Sequence, residues 1–347
     1  WGEPRDGVSR AFTMVNRNKR SITVNLRDER SCEIVRRLAE SADILVENHR
    51  PGFMDAVGLG YERLSAVNPG LIYAQISGFG QTGPYRERGG LDLVAQAMSG
   101  LMSVTGEPDG PPDKAGFPVT DLGTGLFAAC GVLCALQARR LTGRGQKVDC
   151  SLLETGVAFS VWQTAKYLDT GVPPSRMGSA HPLSAPYQAF KTADGYIVIG
   201  AGSQGLFRRL CSLLDLDELS ADPRFDTQPK RMQRYRELAA LLEARTARVP
   251  SAELLTRLTE AGIPAGPIYD VGEMLRDPQA LAREMVIETE HPVFGPLLTI
   301  GSAVKLSETP WQLRRLAPRL GEHSNDVLTE LGYTSAERAA LRADGVV

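Results

Sequence analysis

Two clusters of residues have the types and spacing for chemistry, and a third imitates one. Asp121 lies in Gly116-Phe-Pro-Val-Thr-Asp-Leu-Gly-Thr-Gly-Leu126, ahead of an apolar stretch with no charge until Arg139 and Arg140. A carboxylate at the start of the helix predicted there meets unpaired amides and the positive end of the macrodipole, which favour its ionised form. A desolvated carboxylate can accept an acyl group; the same position also suits a plain N-cap. Gly123 and Gly125 cost that helix about 1 kcal/mol each, which points to something large coming close to its backbone, and the helix is expected to be buried. Asn48-His49-Arg50 follows the apolar run Ile44-Leu45-Val46 after one residue, Glu47, at the carboxyl end of a predicted strand, where open α/β sheets bind ligands. His49 is either a ligand contact or a surface loop histidine. Gly200-Ala-Gly-Ser-Gln-Gly205 matches the dinucleotide fingerprint and follows a strand pattern, but no second strand with a ribose-binding acid comes after it. It reads better as a strand-to-helix turn.

The elements that must position these residues alternate. Residues 21–25 read as a strand, 28–40 as a helix, 43–46 as a buried strand, 61–67 as a helix and 71–76 as a strand. A Gly/Pro-rich loop over 77–90 precedes a helix over 91–102, and a strand over 147–151 leads into a helix over 152–168. This rhythm implies an α/β fold with a mainly parallel sheet covered by helices. Pro173, Pro174, Pro182 and Pro186 mark an exit from a first domain of residues 1–180. A smaller α/β domain over 187–292 follows, with a strand over 195–199, helices near 205–214, 231–245 and 251–261, and a return segment at 266–269. Residues 293–347 close the chain with strands and then helices over 324–331 and 335–343.

With 347 residues and a net charge of −2, the chain can bury ample core and gives no electrostatic reason to expect nucleic acid or a membrane surface as a partner. No apolar run is read as reaching the roughly 20 residues of a membrane span, and no secretory signal is evident. Five cysteines, at 32, 130, 134, 150 and 211, read as buried thiols of a reducing compartment. Cys130 and Cys134 are four apart, but the histidines are scattered at 49, 181, 291 and 323, so no metal is expected.

Almost end to end, the chain resembles the class III (CaiB/BaiF-type) coenzyme A transferases, a family that also holds the α-methylacyl-CoA racemases. The resemblance is carried by Val15-Asn-Arg-Asn-Lys-Arg-Ser-Ile22, Asp43-Ile-Leu-Val-Glu-Asn-His-Arg-Pro-Gly52, Gly58-Leu-Gly-Tyr61, Ile76-Ser-Gly-Phe-Gly-Gln-Thr-Gly-Pro84, Asp121-Leu-Gly-Thr-Gly125, Thr142-Gly-Arg-Gly-Gln146, Tyr187-Gln-Ala-Phe190 and Leu320-Gly-Glu-His323, in family order. It implies a Rossmann-like large domain, a smaller α/β domain, an interlocked homodimer, and a strand, helix and strand ahead of the segment matching Trp1 that supply part of the CoA pocket. It implies Asp121 as nucleophile, no resident cofactor, and an acyl-CoA thioester and a carboxylic acid as substrates. CoA contacts fall on Val24, Asn25, Leu26, Arg27, Asn48, His49, Arg50, Gly89, Gly90, Leu91 and Asp92, with Arg27 and Arg50 suited to phosphates. The chain departs from the family at Ala56, where some members have an arginine, and at Gly89, where others have a lysine.

Backbone amides near Leu122, Gly123 and Gly125 are the expected oxyanion donors, with Gly90 and Asp92 lining the same site. A glycine-rich segment of the small domain closes over the acyl group in the family, and Gly200, Gly202 and Gly205 loosely resemble it. The racemases carry Gly-His-Asp where this chain has Gly90-Leu91-Asp92. Leucine cannot move a proton, so transfer is expected, with a racemase or a catalytically silent CoA-binding protein as the alternatives. Several runs resemble most the branch that moves CoA between short dicarboxylates, such as succinyl-CoA with glutarate; Arg176, His181 and Gln188 are candidates for holding a second carboxylate. The location expected is cytoplasmic, or mitochondrial in a eukaryote.

Overall fold

A computed structural model describes residues 4–347. It is a mixed α/β structure that divides into two compact units, one formed by the chain up to Ala95 with Pro118–Phe159 and Met274–Val347, the other by Gln96–Phe117 and Ser160–Glu273. The partition differs from boundaries at 180, 187 and 292, in part because the helix expected over 152–168 breaks into Leu152–Phe159 and Val161–Thr170 at Ser160.

The first unit is built on three parallel strands in the order β1 (Ile44–Glu47), β2 (Ile72–Ser77), β3 (Lys147–Ser151). The central β2 begins with Ile72, Tyr73 and Ala74, all fully buried, as a strand covered on both faces requires. Helix Glu29–Ser41 is capped by Asp28, whose side chain accepts from the Arg30 amide, and it places Ile34 and Ala39 in the core. Helix Val119–Thr142 ends at Gly143, in the left-handed region at φ 71°, the usual glycine stop. A hairpin of β7 (Val286–His291) and β8 (Gly295–Ile300) and the helices Ser324–Glu330 and Ser335–Ala343 also belong to this unit. The second unit holds an antiparallel sheet of β4 (Tyr187–Lys191), β5 (Tyr196–Gly200) and β6 (Ala265–Pro267). Its core gathers Phe190, Ile197, Ile199, Phe207, Leu210, Leu254 and Leu258.

Five further expectations need correction. Residues 21–25 form no strand, because their polar groups turn to the C-terminal segment: the Asn25 amide donates to Val346 O and the His323 amide to Ser21 O. The helix over 91–102 is two, Asp92–Met98 and Leu101–Val104, parted by Gly100 at φ 84°. Helix Val119–Thr142 is only half-buried; Thr120, Gly123, Thr124, Ala128 and Ala135 face inward, while Leu126, Leu133 and Leu141 are 70%, 64% and 82% exposed. At 24 residues it is also long and apolar enough to cross a membrane, contrary to the expectation that no apolar run reaches such a length. Here it packs on the sheet and its neighbour helix instead: a Cβ at Gly131 would lie 2.7 Å from Val148 of β3, and one at Gly123 2.6 Å from Phe159. Cys130 and Cys134 are exposed and only Cys211 is buried, so the thiols are not uniformly internal.

Candidate active site

A cleft of about 410 Å³ opens where β1 and β2 end, lined by Asn48, His49, Arg50, Pro51, Ser77, Gly78, Arg88, Gly89, Gly90, Leu91 and Val94. The turn out of β1 is fixed by the buried Glu47, which accepts from the His49 amide at 2.7 Å and from Gln75 Nε2 at 3.1 Å. Gly52, at φ 84°, then reverses the chain, and the His49 ring rests on Phe53 at 4.7 Å. On the far wall Gly78 and Gly90 meet backbone to backbone; a Cβ on either would come within 2.5 Å of the other's Cα. No other residue fits there. Arg88 stacks over Tyr85 at 4.6 Å and Phe79 at 5.4 Å, a cation–π contact that limits its freedom. Two guanidiniums, an imidazole and no carboxylate line the cleft, a composition suited to an anion such as a phosphate.

Asp121 is the third residue of helix Val119–Thr142, not its cap; the N-cap position is Pro118, which offers no side-chain bond. The capping acceptor comes from Asp92, the residue after the cleft-lining Leu91. The Thr120 amide and Thr120 Oγ1 donate to Asp92 Oδ1 at 2.9 and 2.7 Å. Behind them Thr124 Oγ1 donates to Thr120 O at 2.6 Å and lies 2.8 Å from Thr155 Oγ1, which donates to Ser151 O at 2.9 Å. This buried ladder of hydroxyls ties the start of the helix to the end of β3.

Among the described residues no hydrogen-bond donor reaches the Asp121 carboxylate. Its side chain is exposed, yet desolvation by the surrounding protein, followed by the negative charge of Asp92, raises its pKa above the usual aspartate value. The helix terminus acts in the opposite sense, so the ionised state anticipated from that terminus alone is opposed first by desolvation and then by the Asp92 carboxylate. Gly125, one turn on and on the same helix face, would place a Cβ in open space, leaving the flank of the carboxylate clear. Gly123 has a different reason: its missing side chain lets Phe159 and Thr155 against the helix. The Leu122 amide already donates to Pro118 O, and Gly123 and Gly125 lie inside the helix, where amides serve the carbonyl four residues back. These three amides are therefore committed to the helix.

Residues 1–324 match the family model of CoA-transferase family III. The chain belongs to this family. It is 41% identical over 349 aligned residues to the succinyl-CoA:glutarate CoA-transferase of Mus musculus, covering 100% of this chain and 80% of that one. It is 39% identical over 350 residues to the succinyl-CoA–D-citramalate CoA-transferase of Chloroflexus aurantiacus, covering 100% and 87%. Among solved structures, a CaiB/BaiF family protein from Brucella suis superposes with a TM-score of 0.82 at 41% identity, over 93% of this chain and 84% of that chain.

In this CoA-transferase the expected site residues separate into groups. Asn48, His49, Arg50, Gly89, Gly90 and Leu91 meet in the cleft, and Asp92 links it to the Asp121 helix. Val24, Asn25, Leu26 and Arg27 do not line it: Val24 and Leu26 pack on neighbouring apolar clusters, and Asn25 Oδ1 accepts from the Arg27 amide. Gly200, Gly202 and Gly205 belong to the second unit, where β5 runs into helix Gln204–Leu213, capped by Ser203. The buried Arg231 donates there to Gly202 O and Ala185 O, each at 2.8 Å, which pins the turn. Arg176, also of the second unit, spends its guanidinium on the carbonyls of Glu107, Pro108 and Gly110. His181 Nδ1 accepts from the Leu183 amide, and Gln188 Nε2 donates to Ala189 O. The sequence analysis did not single out Arg88, which lines the cleft beside Gly89; its charge next to that glycine was the available signal.

Proposed function

We propose that this family III CoA-transferase moves CoA from succinyl-CoA to a short dicarboxylic acid through covalent intermediates on Asp121. The observation that carries the reading is the unbonded Asp121 carboxylate in the first turn of its helix, with the capping duty met by Asp92. An Asp121 carboxylate oxygen attacks the thioester carbonyl and the C–S bond breaks, giving a mixed anhydride and CoA thiolate. The thiolate attacks the aspartyl carbonyl of the anhydride, expels the donor carboxylate and leaves an aspartyl-CoA thioester. The acceptor carboxylate attacks that thioester and the steps run in reverse. Arg50 and Arg88 hold phosphates of CoA in the cleft, and Arg88 takes the role of the lysine that Gly89 replaces. The choice of succinyl-CoA rests on the printed activities of the relatives from Mus musculus and Chloroflexus aurantiacus.

The functional unit is a homodimer of interlocked, Rossmann-like chains, a reading supported by the apolar face that helix Val119–Thr142 leaves uncovered. Leu91, 69% exposed at the cleft, stands where a racemase needs an imidazole. The test is to incubate the protein with succinyl-CoA and glutarate, and separately with a 2-methylacyl-CoA in deuterated solvent. Glutaryl-CoA formation without α-deuteration supports the reading, whereas rapid Asp121-dependent deuteration without an acceptor acid replaces it with racemisation.

A further inference from the structure

We infer that Asp92 is a positioning residue for Asp121: it caps the nucleophile's helix from outside, so that the nucleophile does not have to. A carboxylate at a helix start can be drawn into bonding the orphan amides there, as an N-cap aspartate is, and a carboxylate so bonded is a poorer nucleophile. Here the Thr120 amide, next to Asp121, is satisfied by Asp92 Oδ1 at 2.9 Å, and the same oxygen takes the Thr120 hydroxyl proton at 2.7 Å. Pro118, at the N-cap position, has no side-chain oxygen to offer, so the helix has no local cap. Thr120, fully buried, passes the constraint inward through Thr124 and Thr155 to Ser151. Asp92 also opens its own helix one residue after Leu91 of the cleft. One side chain therefore couples the cleft wall to the orientation of the attacking carboxylate, and its loss lowers the rate of attack more than the binding of CoA.

The inference rests on Asp121 being the nucleophile, and the experiment separates the two. Asp92→Ala, Asp92→Asn and Thr120→Val are compared with the wild type for kcat, for KM of the acyl-CoA, and for the rate of covalent labelling of Asp121 followed by peptide mapping. Asp92→Ala should lower kcat and the labelling rate by about tenfold or more, the scale at which misplaced reacting groups lose rate, with KM changed by less than about threefold. Asp92→Asn keeps an accepting oxygen and should recover most of that loss, and Thr120→Val, which keeps the amide bond but loses the hydroxyl, should be intermediate. Unchanged kcat in Asp92→Ala, an Asn variant as slow as the Ala variant, or a loss confined to KM overturns the inference. If Asp92→Ala does not fold, Asn and Val both matching the wild type would overturn it equally. Wild-type label on a residue other than Asp121 would instead remove the mechanism on which it rests.

Discussion

At Asp121 two demands meet on one helix turn: the helix needs its first amides satisfied, and the reaction needs a carboxylate that is not satisfied. Asp92 resolves the conflict, at the cost of placing a second negative charge near the first. Asp121→Asn removes the proposed nucleophile and should abolish transfer, by at least about 10³-fold, because the proposed mechanism has no substitute for it. The effect on stability has the opposite sign. Because the folded protein raises the Asp121 pKa, the fold favours the protonated form; that stabilisation is present below the ordinary aspartate pKa and is lost as pH rises through the raised value. At neutral pH the Asn variant should therefore melt at the same or a slightly higher temperature than the wild type, a gain below about 1 kcal/mol because the group is exposed and screened. A clear drop in melting temperature would show that the carboxylate itself holds the helix. The candidate nucleophile was legible from its small-residue surroundings. Its cap was not, because the acceptor sits 28 positions before Thr120 and only the tertiary fold brings it there.

Among the elements, those whose pattern and local punctuation agree were legible to the residue or nearly so: Tyr61–Val67, Lys147–Ser151 and Ser335–Ala343. Residues 21–25 have a strand-like pattern, but a strand also needs a ladder partner, and theirs are isolated bonds to the chain's C-terminal end. Long helix patterns concealed breaks at Gly100 and Ser160, since apolar periodicity continues across a change of direction. The cleft depends on the Gly78–Gly90 contact in the same tertiary way. Gly90→Ala would force a Cβ within 2.5 Å of Gly78 Cα, so it should destabilise the first unit by about 1–3 kcal/mol, as overpacking does, and raise the KM for acyl-CoA. Wild-type stability and KM in that variant would show that the cleft wall yields freely. In the second unit, Arg231 donates to carbonyls of Ala185, Phe225 and Gly202 and to Gln204 Oε1. Arg231→Met strands these acceptors and should cost about 2–5 kcal/mol, taking each bond to a charged group at about 1.5–3 kcal/mol with partial relaxation; a loss under 1 kcal/mol in denaturant titration would contradict this account of the turn.

For the whole molecule, the most telling feature is apolar surface that one chain leaves uncovered. Along helix Val119–Thr142, Leu122, Leu126, Leu133 and Leu141 are all more than half exposed, beyond what scattered surface leucines explain. Apolarity alone predicts a buried helix, whereas only its inward face, with Thr120, Gly123, Thr124, Ala128 and Ala135, is covered within the chain. A second copy covering this face predicts a dimer in sedimentation that buries about 2,000 Å² or more, the scale of obligate homodimers. Leu133→Arg should shift the protein toward monomer with loss of activity. A wild-type monomer with full transferase activity would contradict the proposed assembly without touching the chemistry at Asp121.

That chemistry is tested most directly by incubating the wild type with succinyl-CoA in the absence of an acceptor, quenching in acid and mapping the peptides by mass spectrometry. The account predicts a hydroxylamine-sensitive adduct, succinyl or CoA, on the peptide holding Asp121, and none in Asp121→Asn. An unmodified Asp121 peptide in protein that is turning over succinyl-CoA and glutarate would contradict it.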